Sequence, residues 1–182
     1  ARCAPAGPTK SLTWHGYEIR QYPGYVLFLL DSGTRIIHLD DKPHLPENIK
    51  LWNADSRGRW EGNTLIVDVR NNNGKARLAR TGEFASADVR IEERYIFANG
   101  GERYTYEAVY DDPSVYTRPW TVTIPAKKYT EDSAPDSWHN PTFDANHPEG
   151  KRLIEAYERT CVESNDGHGE LVGMASGDPG DP

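Results

Sequence analysis

Apolar and polar positions alternate with a period of two along most of the first 125 residues, in runs of five to nine separated by Gly, Asn, Asp and Pro, and this spacing predicts mainly antiparallel β structure. The runs Tyr25–Leu30 and Thr34–Leu39 flank a turn at Asp31-Ser32-Gly33. Residues 55–69, "DSRGRWEGNTLIVDV", fold back on themselves at Gly62-Asn63. Val89–Phe97 and Glu102–Tyr110 form a further hairpin, and Trp120–Ile124 follows as a strand that starts at Pro119 or lies at an edge. Between these runs, "DDKPHLPENIK" and residues 71–88 read as loops.

Pairing across Gly62-Asn63 sets Trp60 opposite Leu65, Arg57 opposite Asp68 and Asp55 opposite Arg70. Ser56, Gly58, Trp60, Leu65, Val67 and Val69 then share a core face. Asp55, Arg57, Arg59, Glu61, Thr64, Ile66, Asp68 and Arg70 share the other, read as a solvated face laced with cross-strand ion pairs, with a polar cavity lining as the alternative.

For the next hairpin, a turn on Asn99-Gly100 opposes Glu92 and Glu107. A turn on Gly100-Gly101 instead opposes Arg94 to Glu107, Tyr95 to Tyr106 and Phe97 to Tyr104, and cross-strand energetics favour it. Either way Glu93 shares a face with Tyr95, Tyr104, Tyr106 and Tyr110. A carboxylate among aromatic rings has its charged form disfavoured by desolvation, which is how a Glu becomes a general acid or base. The structural alternative binds Glu93 to a Tyr hydroxyl or an Arg and gives it to the fold.

After residue 127 the alternation stops. Pro148 followed by "EGKRLIEAYERT" predicts one helix, and the tail 166–182 reads as flexible or docked on a partner. The length, 182 residues, suits one domain with a real core. Gly and Pro make up 29 residues and Tyr and Trp another 15, which reinforces the β reading with long loops.

A net charge of −7 with scattered Lys and Arg argues against nucleic acid and anionic membrane surfaces as partners. The longest apolar stretch, Val26–Leu30, is far too short to span a bilayer. The chain starts at the small residue Ala1 with its only methionine at Met174, as expected after removal of an export signal or for a trimmed start. Cys3 and Cys161 fit no zinc or redox spacing, and a disulfide between them is expected, with two buried thiols as the alternative.

No HxH, HxxH or HExxH spacing occurs, so a metal site would have to be assembled by folding, for example from His139, His147, Asp136 and Asp144. There is no phosphate-cradling glycine loop and no nucleophile elbow. Ser56 has no nominated base, and His44 in "KPHLP" reads as a loop anchor before a catalyst.

The run "LDDKPHLPENIKLWNADSRGRWEGNTLIVDV", with "EERYIF", "YEAVYDDPSVYTRPWTV" and Cys161-x-Glu163-x-Asn165, resembles a large uncharacterised group of bacterial hypothetical proteins predicted to be exported. It covers about residues 19–125 and the Cys161 region, and "DSRGRWEG" and "YTRPWT" are its specific words. That group usually carries a His after the second cysteine, where this chain has Val162. The resemblance implies export, periplasmic or extracellular, and no reaction. "RWEGNTLIV" is also similar to meander hairpins of calycin-type (lipocalin-like) barrels, an analogy of fold.

These readings converge on a single all-β domain, a calycin-like barrel or strongly curved sheet with one C-terminal helix. The leading expectation is an exported binder of a small apolar or aromatic molecule, extending to cofactor-free lyase, dehydratase or isomerase chemistry. In it Glu93 carries the proton, Tyr95 and Tyr106 donate hydrogen bonds, Arg57 or Arg94 partners an anion, and Tyr104, Tyr110 and Trp60 line the site. Two alternatives stand beside it: a self-assembling subunit of an extracellular structure held by its termini, and a metal-binding module.

Overall fold

The computed structural model describes residues 7–13, 17–30, 33–76 and 84–129. The expected disulfide, the helix after Pro148, the tail 166–182 and the His139/His147 cluster lie outside the described residues.

A short helix, α1 (Pro8–Ser11), precedes eight strands: β1 (Glu18–Tyr22), β2 (Tyr25–Leu30), β3 (Gly33–His38), β4 (Asp55–Glu61), β5 (Thr64–Arg70), β6 (Arg90–Ala98), β7 (Arg103–Asp111) and β8 (Trp120–Lys127). They form one sheet in sequence order. Every neighbouring pair is antiparallel except β3 and β4, which run parallel and meet at one residue pair, His38 and Arg57. The sheet curls into a half-barrel, so the expected antiparallel curved sheet is borne out.

Curling gives every strand an inner face. Val26, Phe28, Ile37, Leu65, Val67, Val69, Ile91, Tyr95, Tyr106, Ala108 and Tyr110 are all sealed there, at most 1% exposed. The α1 segment contributes Leu12 to the same core. The hairpin registers follow the alternation: Arg57 opposes Asp68 and Asp55 opposes Arg70, and Arg94 opposes Glu107 with Tyr95 on Tyr106 and Phe97 on Tyr104. The second hairpin turns through a 3-10 segment, Asn99–Gly101, with all three residues at positive φ.

Three features depart from the sequence reading. β1, "EIRQY", has one strongly apolar residue and departs from the alternation, yet it pairs with Tyr25–Leu29 of β2 around a tight turn at Gly24, φ 84. Strand β8 runs on to Lys127 through Pro125, which an edge strand tolerates because the missing N–H costs no ladder bond on its free side. The cross-strand ion pairs expected from the first hairpin do not form. Arg70 binds Asp68 on its own strand at 2.7 Å, and Arg57 binds Asp55 at 3.2 Å and Asp40 at 3.2 Å. Asp55 turns away from Arg70 because loop 39–54 folds over it and buries it to 4% exposure.

Gly58, in "SRGRW", marks how tightly β3 crosses β4. A β-carbon there would stand 2.6 Å from Cγ2 of Ile37 and 3.1 Å from Cδ2 of Leu39. Overpacking of that kind costs about 1–3 kcal/mol, so Gly58→Ala is expected to lower unfolding free energy by that amount. Urea denaturation of the two proteins measures it, and equal midpoints would show that β3 gives way freely.

Candidate functional site

Two places hold the residues nominated from sequence: the sealed inner face, and a groove where β3 and β4 part.

On the inner face Glu93 is fully buried, as are Tyr95 and Tyr106. Glu93 is met by Arg35, a β3 residue that alternation points inward beside Ile37. The guanidinium clamps the carboxylate in bidentate fashion, Nη2 to Oε2 at 2.7 Å and Nη1 to Oε1 at 3.0 Å. Nη1 also donates to the Tyr95 hydroxyl at 3.2 Å, and Nε and Nη2 donate to Ser56 Oγ at 3.3 and 2.9 Å. Five donors make five bonds, the full capacity of a guanidinium.

The Tyr106 hydroxyl donates to Glu93 Oε1 at 2.9 Å. Thr9 of α1 closes the network, its Oγ1 lying 2.9 Å from the Tyr106 hydroxyl and hydrogen-bonding the Tyr110 hydroxyl as well. Tyr17 and Tyr104 pair through their hydroxyls nearby. Burial works against the Arg35 charge, but Glu93 beside it outweighs burial and holds the guanidinium protonated beyond its ordinary range. Burial pushes the hydroxyls of Tyr95 and Tyr106 well above the ordinary tyrosine value, and raises those of Tyr17, Tyr104 and Tyr110 too.

Glu93, Tyr95, Tyr106, Tyr104 and Tyr110 are thus brought together, and Glu93 is bound by an Arg and a Tyr. The expected anion partners do not reach it. Arg94 lies on the outer face against Glu92 at 2.8 Å, and Arg57 lies on the outer face of β4. Trp60 has the inner-face parity but stands near the open end of β4, 38% exposed, with its ring 5.7 Å from that of Phe97.

Arg35, Ser56 and Thr9 are the members that sequence reasoning missed. A signal for Arg35 existed. Pairing the two runs across Asp31–Gly33 sets Arg35 opposite Phe28, on the face of Val26 and Leu30. It is a lone cation on an apolar face, just as Glu93 is a lone anion.

The groove opens because β3 and β4 share a single pairing and then diverge. Loop 39–54 crosses over the gap and is held at several points. Asp55 Oδ2 accepts from the Leu45 N–H at 2.9 Å and contacts His44 Nδ1 at 2.8 Å, while His44 Nε2 lies 3.3 Å from Asp68. Asn71, at φ 62, donates to the carbonyls of Leu45 and Pro46. His44 is therefore an anchor of the loop. Burial pushes the Asp55 carboxyl up, but the Leu45 N–H, His44 and Arg57 together outweigh it and hold it below the usual carboxylate range.

Loop, β3 and β4 enclose a groove of about 490 Å³, open to solvent. Ile36, Leu45, Leu51 and Ala54 supply apolar walls, and His38, Asp40, Lys42, Asn53 and Arg57 supply polar ones. Arg35 and Ser56 lie at its floor, nearly sealed. Ala54, on the wall, is held at φ 58, a left-handed backbone that costs a residue with a β-carbon about 1 kcal/mol or more. Among the described residues no group of three or more His, Cys, Asp or Glu side chains is placed to hold a metal ion.

No family model, curated protein or solved structure matches the chain.

Removing one partner of a buried ion pair strands the other, at a cost of about 3–5 kcal/mol. Glu93→Gln is expected to destabilise by that order in urea titration, and the apolar double replacement Arg35→Met with Glu93→Leu to recover most of the loss. A double variant as unstable as the sum of its single changes would show that the pair is not the unit.

The tyrosines give a second expectation. Their folded-state values are raised above the unfolded value near 10, so the stability they carry is complete below about pH 10 and is lost as pH rises further. Tyrosinate absorbance at 295 nm should therefore appear for these five rings only together with loss of near-ultraviolet circular dichroism. Ionisation of all ten tyrosines in one step before unfolding would contradict the sealed face.

Proposed function

We propose that this protein binds a small molecule in the groove between β3 and β4. The observation that carries the proposal is the split itself: two strands that share one pairing leave a solvent-open volume of about 490 Å³ with walls of both characters. That volume lies within the range of small-molecule sites, in which an apolar surround and a few convergent polar groups set orientation. On the inner face, among the described residues, Glu93 and the rings of Tyr95, Tyr106 and Tyr110 are fully buried among the protein's own side chains.

The reading keeps the expectation of an exported small-molecule binder and moves its site. Binding is favoured over turnover, because the nominated proton carrier is closed off behind Arg35 and faces no open volume. A ligand with an apolar or aromatic body would rest on Ile36, Leu45, Leu51 and Ala54, with a polar end toward Lys42 and Arg57.

A suitable probe is 8-anilinonaphthalene-1-sulfonate, which has an aromatic body and one anionic group. Titrated into the native protein and followed by amide chemical shifts, it is expected to move Thr34, Ile36, Asn53 and Ala54 in one saturable curve. Shifts confined to the Trp60 and Phe97 end of the sheet, or none at all, would overturn the proposal.

A further inference from the structure

Resting on that reading, we infer that the groove takes a short peptide with a free C-terminal carboxylate, its backbone pairing with the unladdered edge of β3 and its carboxylate meeting Arg57. The inference comes from asking which hydrogen-bonding groups of the groove already have partners.

The edge of β3 comes first. The Leu39 N–H turns to the Gly24 carbonyl, on the β2 side. The Thr34 carbonyl turns the other way and accepts from Asn53 Nδ2, at a long 3.4 Å. Backbone groups of successive residues in a strand point to opposite sides, so those of Thr34, Ile36 and His38 all face β4. His38 meets Arg57 there, and the pairing stops. The N–H and carbonyl of Ile36 are therefore turned into the gap, with no ladder bond to β4 among the described residues. A peptide group, with one donor and one acceptor at strand spacing, is the chemistry that matches such an edge, as in other cases of strand addition.

The side chains come next. Both carboxylates of the groove are occupied by the protein's own donors. Asp55 receives Leu45, His44 and Arg57, and Asp40 receives Lys42 Nζ at 3.0 Å and Arg57 Nη1 at 3.2 Å. The donors are less fully engaged. Arg57 uses Nε and Nη1 in these contacts, and Nη2 has no partner among the described residues. Lys42 has one carboxylate contact on an ammonium that offers three protons. A ligand's polar terminus must therefore accept, and a carboxylate on a guanidinium makes the stronger, charge-assisted bond. Because His38 opposes Arg57 and Ile36 lies two residues back along β3, the peptide edge and the carboxylate donor are one dipeptide step apart, and a peptide C-terminus joins the two features.

Three ligands test this on the intact protein: N-acetyl-alanyl-leucyl-alanine as free acid, the same peptide as C-terminal amide, and the free acid N-methylated at the leucyl nitrogen. The free acid is expected to shift the Ile36 and Arg57 amides saturably. The amide form should bind at least about tenfold more weakly, since a hydrogen bond to a charged group contributes about 1.5–3 kcal/mol, and the N-methylated form should also weaken. Arg57→Gln should bring the free acid's affinity down to that of the amide form, with the variant's own dispersed amide spectrum reporting that it is folded. If the sulfonate probe fills the groove while no peptide binds, or if all three peptides bind equally, the peptide assignment fails and the small-molecule reading stands. If neither probe nor peptide reaches the groove, both fail.

Discussion

A saturated guanidinium holds the two parts of this sheet in register. β1, β2 and β3 form one antiparallel meander and β4 to β8 another, and between them the backbone supplies a single pairing. Arg35 adds a polar tie from within, reaching from β3 to Ser56 on β4 and to Glu93 and Tyr95 on β6. A buried ion pair adds little net stability over a well-packed apolar substitute, because both charges are taken out of water. Its effect is selective. Any arrangement of the two meanders that displaces Arg35 leaves a desolvated cation and a desolvated carboxylate without partners, so alternatives are penalised more than the native pairing is rewarded.

The outer side of the same seam is secured by different chemistry. Parallel neighbours need a long crossover, and here it is the sixteen residues 39–54. A loop of that length carries many backbone groups that must find partners. Asp55 on β4 accepts from the Leu45 N–H, Asn71 just after β5 donates to the Leu45 and Pro46 carbonyls, and the loop's own His44 meets the Asp55 carboxylate, which gives up its expected pairing with Arg70. The words "KPHLP" and "DSRGRWEG" thus describe one unit: a loop, the carboxylate that receives it, and the glycine that lets Ile37 pass close to β4.

The hairpins were legible in the sequence because period-two alternation and turn glycines fix both face and register over short separations. The register of β6 on β7 could even be chosen between two candidates by asking which one avoids facing carboxylates. What escaped were features whose determinants lie far apart in the chain. Strand β1 has too little apolar character to be seen without β2 beside it. The parallel contact depends on a loop with no local period. The partner of Glu93 sits 58 residues away, on a strand of the other meander. Glu93 itself was found, since a lone carboxylate on an aromatic face is conspicuous, but the chemistry inferred from it presumed desolvation without a counter-charge. A buried charge requires an opposite one, and Arg35 and Glu93 are the two inward-pointing charges of facing strands.

The placement of an open volume follows from the same constraint. In a half-barrel the inner face is the natural cavity, yet here eight strands curl tightly enough for tyrosine rings and the α1 segment to fill it, with Thr9 joining two of the ring hydroxyls. The groove lies where ladder pairing ends, and pairing ends because β3 and β4 are parallel strands tied by a crossover that runs along the outer surface. Arg35 keeps the gap from widening inward, and the docked loop keeps it from closing outward. The groove is thus bounded by the two devices that hold the meanders together. A substitution that loosened either would be expected to change its shape before it changed the fold of either meander.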